Sequence, residues 1–368
     1  MKNQINHRAV QHIARCLKQI DSHFAHQDFY QQAIIGLDHL ELKQRVSHVI
    51  TALHRYLPAE FTQAAAILKQ LPNVWQNNDP NSTISRFAAW PLIDYASVYG
   101  LSHPHIALDL LKTLTHLFSA EFAIRPFIIE HPDYCHSQFT LWLKHEDEHV
   151  RRLVSEGTRP RLPWGMQLKE FMYNPQANLP FLTALKEDES MYVRRSVANH
   201  LNDISKDNPE VVVNICRSWL GNASNNDKVH WIIKHATRSL VKAGDQKILN
   251  LLGYPSHTQL APIELTLSKE KLHLGDSLEF QFELGSTSNK AQNIVVDFAI
   301  HFVKAKGQRQ AKVFKLRSLT LAPNTTISLQ KRHNIKPIST RRYYAGTHML
   351  EILINGQSLA SKEFELKV

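Results

Sequence analysis

Up to about residue 252 the apolar positions recur every three or four residues. Segments such as HIALDLLKTLTHLF and VHWIIKHATRSLVKAG place them at i, i+3, i+4 and i+7, the stripe of an amphipathic helix. Short polar or proline-containing breaks, HPDY and DNPE among them, separate one helix from the next. From Ile263 the period drops to two. In SLEFQFEL, Leu278, Phe280, Phe282 and Leu284 alternate with Glu279, Gln281 and Glu283. In NIVVDFAIHF the apolar set is Ile294, Val296, Phe298, Ile300 and Phe302. Asn355-Gly356 between two apolar runs predicts a tight hairpin. About seven such strands fit the final stretch, the pattern of an immunoglobulin-like sandwich.

A chain of 368 residues is too long for one compact core. The change of period therefore divides it into a helical domain over 1–252, a linker over 253–258 that begins GYPSH, and a strand domain over 259–368. The helical part repeats itself weakly. HVRRLVSEGT from His149 aligns with YVRRSVANHL from Tyr192 at an offset of 43, and that aligns with WIIKHATRSL from Trp231 at an offset of 39. Periods near 40 built from paired helices are those of HEAT-type repeats, which stack into a solenoid because no single pair can bury its apolar face. The predicted architecture is a right-handed α-helical solenoid of HEAT-like repeats followed by an all-β immunoglobulin-like sandwich.

Charge sharpens this picture. The formal net charge is +10, and residues 259–368 carry 16 Lys/Arg against 9 Asp/Glu, or +7 of it. A polyanionic partner suits so uneven a distribution, although solubility alone is the plainer explanation. The three cysteines, Cys16, Cys135 and Cys216, are too few and too far apart for a disulfide framework or a zinc site. None of the 22 histidines shows a ligand spacing such as HExxH, so no metal or cofactor is expected. No stretch is apolar enough for a signal peptide or a membrane span, which points to a cytoplasmic protein without a membrane partner, and by default a monomer.

The candidate chemistry lies on the repeat helices. In HVRRLVSEGTR the buried stripe is Val150, Leu153 and Val154. This leaves Arg151, Arg152 and Glu156 on other faces, with Arg152 and Glu156 one turn apart. The sister helix carries Arg194, Arg195, Asn199, His200 and Asp203. A solvated helix surface with internal ion pairs would explain both. The following loop, TRPRLPWG, fits a nucleic-acid site better, because Arg159, Arg161 and Trp164 stand on a proline-stiffened turn beside acids. Glu121 in SAEFAIRPF is expected to begin a helix and to face the same groove, or simply to favour the helix dipole. In the strand part, KAKGQRQAKVFKLR gathers Lys304, Lys306, Arg309, Lys312, Lys315 and Arg317 with no acid, and KRH (331–333) and TRRYY (340–344) add to them. These residues read as phosphate contacts that clamp DNA, or as a guard against edge-strand aggregation.

The stretches WPLIDYASVYG, SAEFAIRPF, HVRRLVSEGTRPRLPWG and YVRRSVANHLNDISKDNP resemble the AlkC branch of the HEAT-like-repeat alkylbase DNA glycosylases. The likeness is close from about Ala89 to Gly253 and looser over the first eighty residues. Some members of that branch carry a C-terminal immunoglobulin-like domain. The resemblance implies a metal-free enzyme that excises cationic N-alkylated bases, 3-methylcytosine and 3-methyladenine among them, from double-stranded DNA without flipping them. It implies catalytic acids at Glu121, Glu156 and Asp203, an aromatic against the damaged nucleotide at Trp164, and a phosphate or sugar contact at Arg152. Two other readings stay open: a non-catalytic DNA binder, which would need the arginines but not the acids, and a HEAT-type protein scaffold, which would need neither.

Overall fold

The computed structural model describes residues 2–75, 86–222, 226–339 and 341–368. The chain forms two compact units, Met1–Asn208 with Asn225–Ala236, and Pro209–Ser224 with Thr237–Val368. The predicted fold class, a HEAT-like helical solenoid followed by an immunoglobulin-like sandwich, is borne out.

The first unit is helical from its start, with helices His7–Ile20, His26–Ile34, Leu42–Tyr56 and Phe61–Leu68 in its first part. Buried Arg45 ties these helices together by donating to the carbonyls of Leu40, Ile5 and Asp38 at 2.9, 2.8 and 3.0 Å. The three segments that align in sequence begin on helices Glu148–Gly157, Met191–Ile204 and Asp227–Ala236, which pack one against the next, and the third runs on into Arg238–Lys242. The repeat extends to atomic detail. Asp147 and Ser190, 43 residues apart, cap their helices through the amides of His149 and Tyr192. Arg151 donates to the carbonyls of His145 and Glu146, and Arg194 to those of Asp188 and Glu189.

The second unit holds eight strands among the described residues: β1 (Thr266–Leu267), β2 (Lys271–His273), β3 (Ser277–Gly285), β4 (Gln292–Val303), β5 (Arg309–Leu321), β6 (Thr326–Asn334), β7 (Gly346–Ile354) and β8 (Gln357–Lys367). They form sheets ordered β1-β3-β6 and β2-β8-β7-β4-β5. The alternating residues read from the sequence, Phe280 and Phe282 of β3 and Phe298, Ile300 and Phe302 of β4, meet Leu350, Ile352 and Phe364 in one apolar core. The Asn355-Gly356 hairpin joins β7 to β8 with φ of 46° and 78°, the left-handed pair that a type I′ turn requires.

The unit boundary does not follow the change of period. Helices Pro209–Asn222, Arg238–Lys242 and Gln246–Leu251 belong with the strands. The reason lies at the hairpin, where a Cβ built on Gly356 would stand 2.4 Å from the Cα of Gly244, so two glycine backbones touch. Gln246 adds a bond to the Asn355 carbonyl at 3.0 Å, and the Asn355 side chain one to the carbonyl of Pro255 at 2.9 Å.

Candidate active site

The sequence HVRRLVSEG buries Val150, Leu153 and Val154 in the helical core, which turns Arg152 and Glu156 toward the neighbouring repeat. Glu121 arrives from the turn before helix Ile124–Glu130 rather than from a helix start. Asp203 comes from the last turn of Met191–Ile204, and Arg159 from the loop after Gly157.

These five side chains form a continuous chain of alternating charge. Arg152 lies 2.7 Å from Glu121 Oε2 and 3.4 Å from Glu156 Oε1. Arg159 bonds Glu156 Oε1 at 2.6 Å and Asp203 Oδ2 at 2.7 Å, and Lys206 closes the series on Asp203 Oδ1 at 2.8 Å. Two serines complete it: Ser119 donates to Glu121 Oε2 at 2.8 Å, and Ser196 to Glu156 Oε2 at 2.6 Å. The Arg152 guanidinium also stands 4.7 Å above the ring of Tyr192. Both oxygens of Glu156 and of Asp203 are thus engaged. Among the described residues no hydrogen bond reaches Glu121 Oε1.

Burial of the Glu156 carboxyl opposes its ionisation, but the guanidiniums of Arg152 and Arg159 and the bonds from Ser196 and Arg159 outweigh it and hold its pKa below the usual range. Burial likewise opposes the charge on Arg152 and Arg159, yet their carboxylate partners push both pKa values upward. Glu156 therefore carries its negative charge at neutral pH. Asp94, whose Oδ2 accepts from the Trp90 indole at 2.7 Å, behaves differently. Burial raises its pKa to about 7 against the lowering effects of Trp90 and Lys43, and Glu121 adds to the rise.

The loop after Gly157 presents Trp164, whose residue is 53% exposed and whose φ is +67°. A bulky residue with positive φ is strained and persists only where its surroundings fix it. Arg161 pins the loop to Asp207 through two bonds of 2.7 and 2.6 Å, and Lys43 donates to the Trp164 carbonyl.

The arginines expected to meet DNA thus divide. Arg152 and Arg159 serve the carboxylates, Arg161 is half of an ion pair, and Arg194 is buried against its own loop. Arg195 is exposed. His200 is fully buried with Nδ1 2.9 Å from the Ser155 carbonyl, a packing role that removes it from any DNA surface. Burial foremost lowers its pKa to about 4. In the second unit Lys306, Lys312, Lys315 and Arg317 are exposed on β5 and the loop before it, with Lys304 partly so. Arg309 is tied to the Thr347 carbonyl and to Glu363 at 2.8 and 2.7 Å. In TRRYY, Thr340 lies outside the described residues. Ser119, Ser196, Tyr192 and Asp94 lie within the stretches that carry the resemblance, but nothing in their type or spacing singled them out. Among the described residues no cluster of three His, Cys, Asp or Glu side chains is arranged to hold a metal, and no helix is long and apolar enough to cross a membrane.

A solenoid of HEAT-like repeats with a carboxylate–arginine chain, joined to an immunoglobulin-like unit, defines a class that known proteins share. Residues 262–368 match the family described as "Uncharacterised protein YhaZ, C-terminal Ig-like domain". The chain is 38% identical over 327 residues to "Uncharacterized protein YhaZ" of Bacillus subtilis (strain 168), an alignment covering 89% of this chain and 88% of that one. It also superposes with a TM-score of 0.92 and 36% identity on a structure described as "Pseudomonas fluorescens alkylpurine DNA glycosylase AlkC bound to DNA containing an abasic site analog", covering 100% of this chain and 99% of that one. The chain belongs to the AlkC family.

Proposed function

We propose that this protein is a DNA glycosylase that removes cationic N-alkylated bases, 3-methylcytosine and 3-methyladenine first and 1-methyladenine with them, from duplex DNA. The observation that carries this reading is the line of three carboxylates bridged by two arginines, one of them on the loop that exposes Trp164. The full-length likeness to a glycosylase solved on abasic-site DNA supports it.

A base alkylated on a ring nitrogen already carries positive charge, so it leaves without protonation. The C1′–N bond breaks with both electrons going to the base, which departs neutral, and the sugar becomes an oxocarbenium-like cation. Glu121, Glu156 and Asp203 stabilise that charge through preorganised electrostatics. Water then attacks C1′ and gives up a proton. Glu121, with one carboxylate oxygen outside the arginine bonds, is the acid that orients that water and takes its proton, a contribution of about 10²–10⁴-fold in such catalysis. Trp164 lies against the damaged nucleotide, which need not be flipped into a pocket. The basic residues of the second unit, exposed Lys306, Lys312 and Arg317 with half-buried Lys304, hold phosphates without reading sequence, so affinity falls steeply with salt.

The test is release of methylated base from a duplex carrying 3-methyladenine or 3-methylcytosine, comparing wild type with Glu156→Ala and Asp203→Ala. Release by wild type that disappears in both variants, while duplex binding persists, is the expected result. Duplex binding without release from either substrate would leave a damage-binding protein. Absence of salt-dependent DNA binding would leave a scaffold.

A further inference from the structure

Arg125 is fully buried and has no carboxylate partner. Its Nε donates to the carbonyl of Met166 at 2.7 Å and its Nη1 to that of Gly157 at 2.8 Å. Those two carbonyls bracket the loop that bears Arg159, Arg161 and Trp164. Nη2 finds no partner. A buried guanidinium with no carboxylate in ion-pair contact is costly, even with the charges of Asp203, Glu121 and Glu156 acting on it from further off. An apolar side chain of similar size would commonly serve packing as well or better. What an apolar residue cannot do is hold two carbonyls at a fixed separation. Gly157 ends its helix, so its carbonyl lacks a helical partner and is available to such a clasp.

The loop needs a clasp of this kind. Trp164 sits at φ +67° with more than half of its surface exposed, so no core packing holds its backbone in that conformation. Among the described residues two short-range backbone bonds, Gly165 to Leu162 at 3.2 Å and Leu168 to Pro160 at 3.1 Å, shape the turn from within. From outside, Lys43 holds the Trp164 carbonyl and Asp207 holds Arg161, and neither of these ties the two ends of the loop together. From these contacts we propose that Arg125 is the positioning residue that fixes the pose of Trp164, acting through the two ends of the loop and touching no substrate. The catalytic side of this inference rests on the reading of Trp164 as the lesion contact.

The experiment uses the full chain labelled with 5-fluorotryptophan. Its six tryptophans give separate ¹⁹F signals, and the one lost in Trp164→Phe is assigned to Trp164. Arg125→Lys and Arg125→Gln are expected to shift or broaden that signal and leave the other five in place. Gly157→Ala reaches the same clasp without altering the guanidinium, since a Cβ there would lie 2.6 Å from Ile124 Cγ2, and is expected to move the same signal. Single-turnover base release should fall about 10²-fold in Arg125→Lys, the scale of a 1 Å misplacement, with affinity for an abasic-analogue duplex changed less than about threefold. In a Trp164→Ala background the Arg125→Lys change should cost nothing further.

An unmoved Trp164 signal in all three variants overturns the proposal. So does an Arg125→Lys penalty as large in the Trp164→Ala background as in wild type, and so does loss of the helical circular dichroism signal with every variant, which would make Arg125 a general folding residue. If wild type releases no base, the functional reading fails, and the ¹⁹F signals still decide whether Arg125 sets Trp164.

Discussion

Replacing Glu156 by glutamine removes one charge from the middle of the alternating chain and almost no volume. In the folded protein the carboxylate accepts from Arg159 and Ser196 at 2.6 Å each and faces Arg152 at 3.4 Å. A glutamine can turn its oxygen toward the guanidiniums and its NH₂ toward Ser196, whose hydroxyl can accept instead of donate. No polar atom need be orphaned. What is lost is the attraction between opposite charges, about 4 kcal/mol for a pair about 4 Å apart at an effective dielectric of about 20, part of which the lower desolvation cost of the amide returns. Net of that return, the loss over the two guanidinium contacts amounts to about 2–3 kcal/mol of stability. Glu156→Ala leaves both arginines short of a partner, and the cost rises to about 3–5 kcal/mol, tempered because Arg152 keeps Glu121 and Arg159 keeps Asp203. Denaturant unfolding of the three proteins measures these differences. Under conditions where all are folded, single-turnover release of 3-methyladenine should be slower in Glu156→Gln by about 10²–10³-fold, the usual loss for one preorganised electrostatic group. A glutamine variant that loses the expected stability yet releases base within threefold of wild type would refute the catalytic assignment and leave Glu156 a purely structural ion.

Asp94 and His200 should tilt the pH profile of stability in opposite directions. Asp94 titrates near 7 when folded against 3.8 when exposed, so its contribution is complete below about pH 4 and lost as pH rises through 7; Asp94→Asn should remove this decline, on the order of 4 kcal/mol, from unfolding midpoints measured between those limits, and parallel profiles would contradict it. His200 titrates near 4 when folded against 6.5, so stability is lost as pH falls from 6.5 toward 4, by about 3 kcal/mol, and His200→Gln should flatten that arm of the same profile. Gly356→Ala should destabilise the second unit by about 1–3 kcal/mol through overpacking against Gly244, seen as a lower unfolding midpoint; an unchanged midpoint would mean that the two backbones can part without loss.

The fold was largely legible because each half obeys a single period. The switch from three-to-four to two near Ile263, and the 43-residue offset between the VRR segments, correspond to the strands and to the stacked helices. The count of about seven fell short of the eight strands because β1 and β2 span two and three residues, too short to show alternation. At the site the acids were legible and the arginines were not. Arg151 and Arg152 are adjacent, as are Arg194 and Arg195, yet the first of each pair curls back on its own loop. That division depends on carbonyls exposed by the preceding turn and on a neighbouring helix some forty residues away, neither of which a local pattern encodes. Arg125 was silent for the same reason: an arginine in AIRPF reads as surface until the loop it clasps has folded over it.

The arginines that proved hardest to read explain why three acids can share one site. Carboxylates crowded into a low-dielectric surface repel one another, and some would take up protons and lose the charge a cationic sugar needs. Interleaving Arg152 and Arg159 gives each of Glu121, Glu156 and Asp203 a guanidinium partner, and with all five charged the groups together carry one net negative charge. An equal number of arginines would cancel the field, and a lone pair of acids would supply less of it along the strand. Lys206, whose side chain is 46% exposed, adds its charge at the solvent edge, where screening weakens it. The repeat makes the arrangement possible without being copied by it. Glu156 aligns with Asn199 across the 43-residue offset, so the acid of one helix is neutral in the next, and Asp203 enters one turn further on. A site symmetric in the repeat would have faced acid against acid. The broken symmetry places arginine between them.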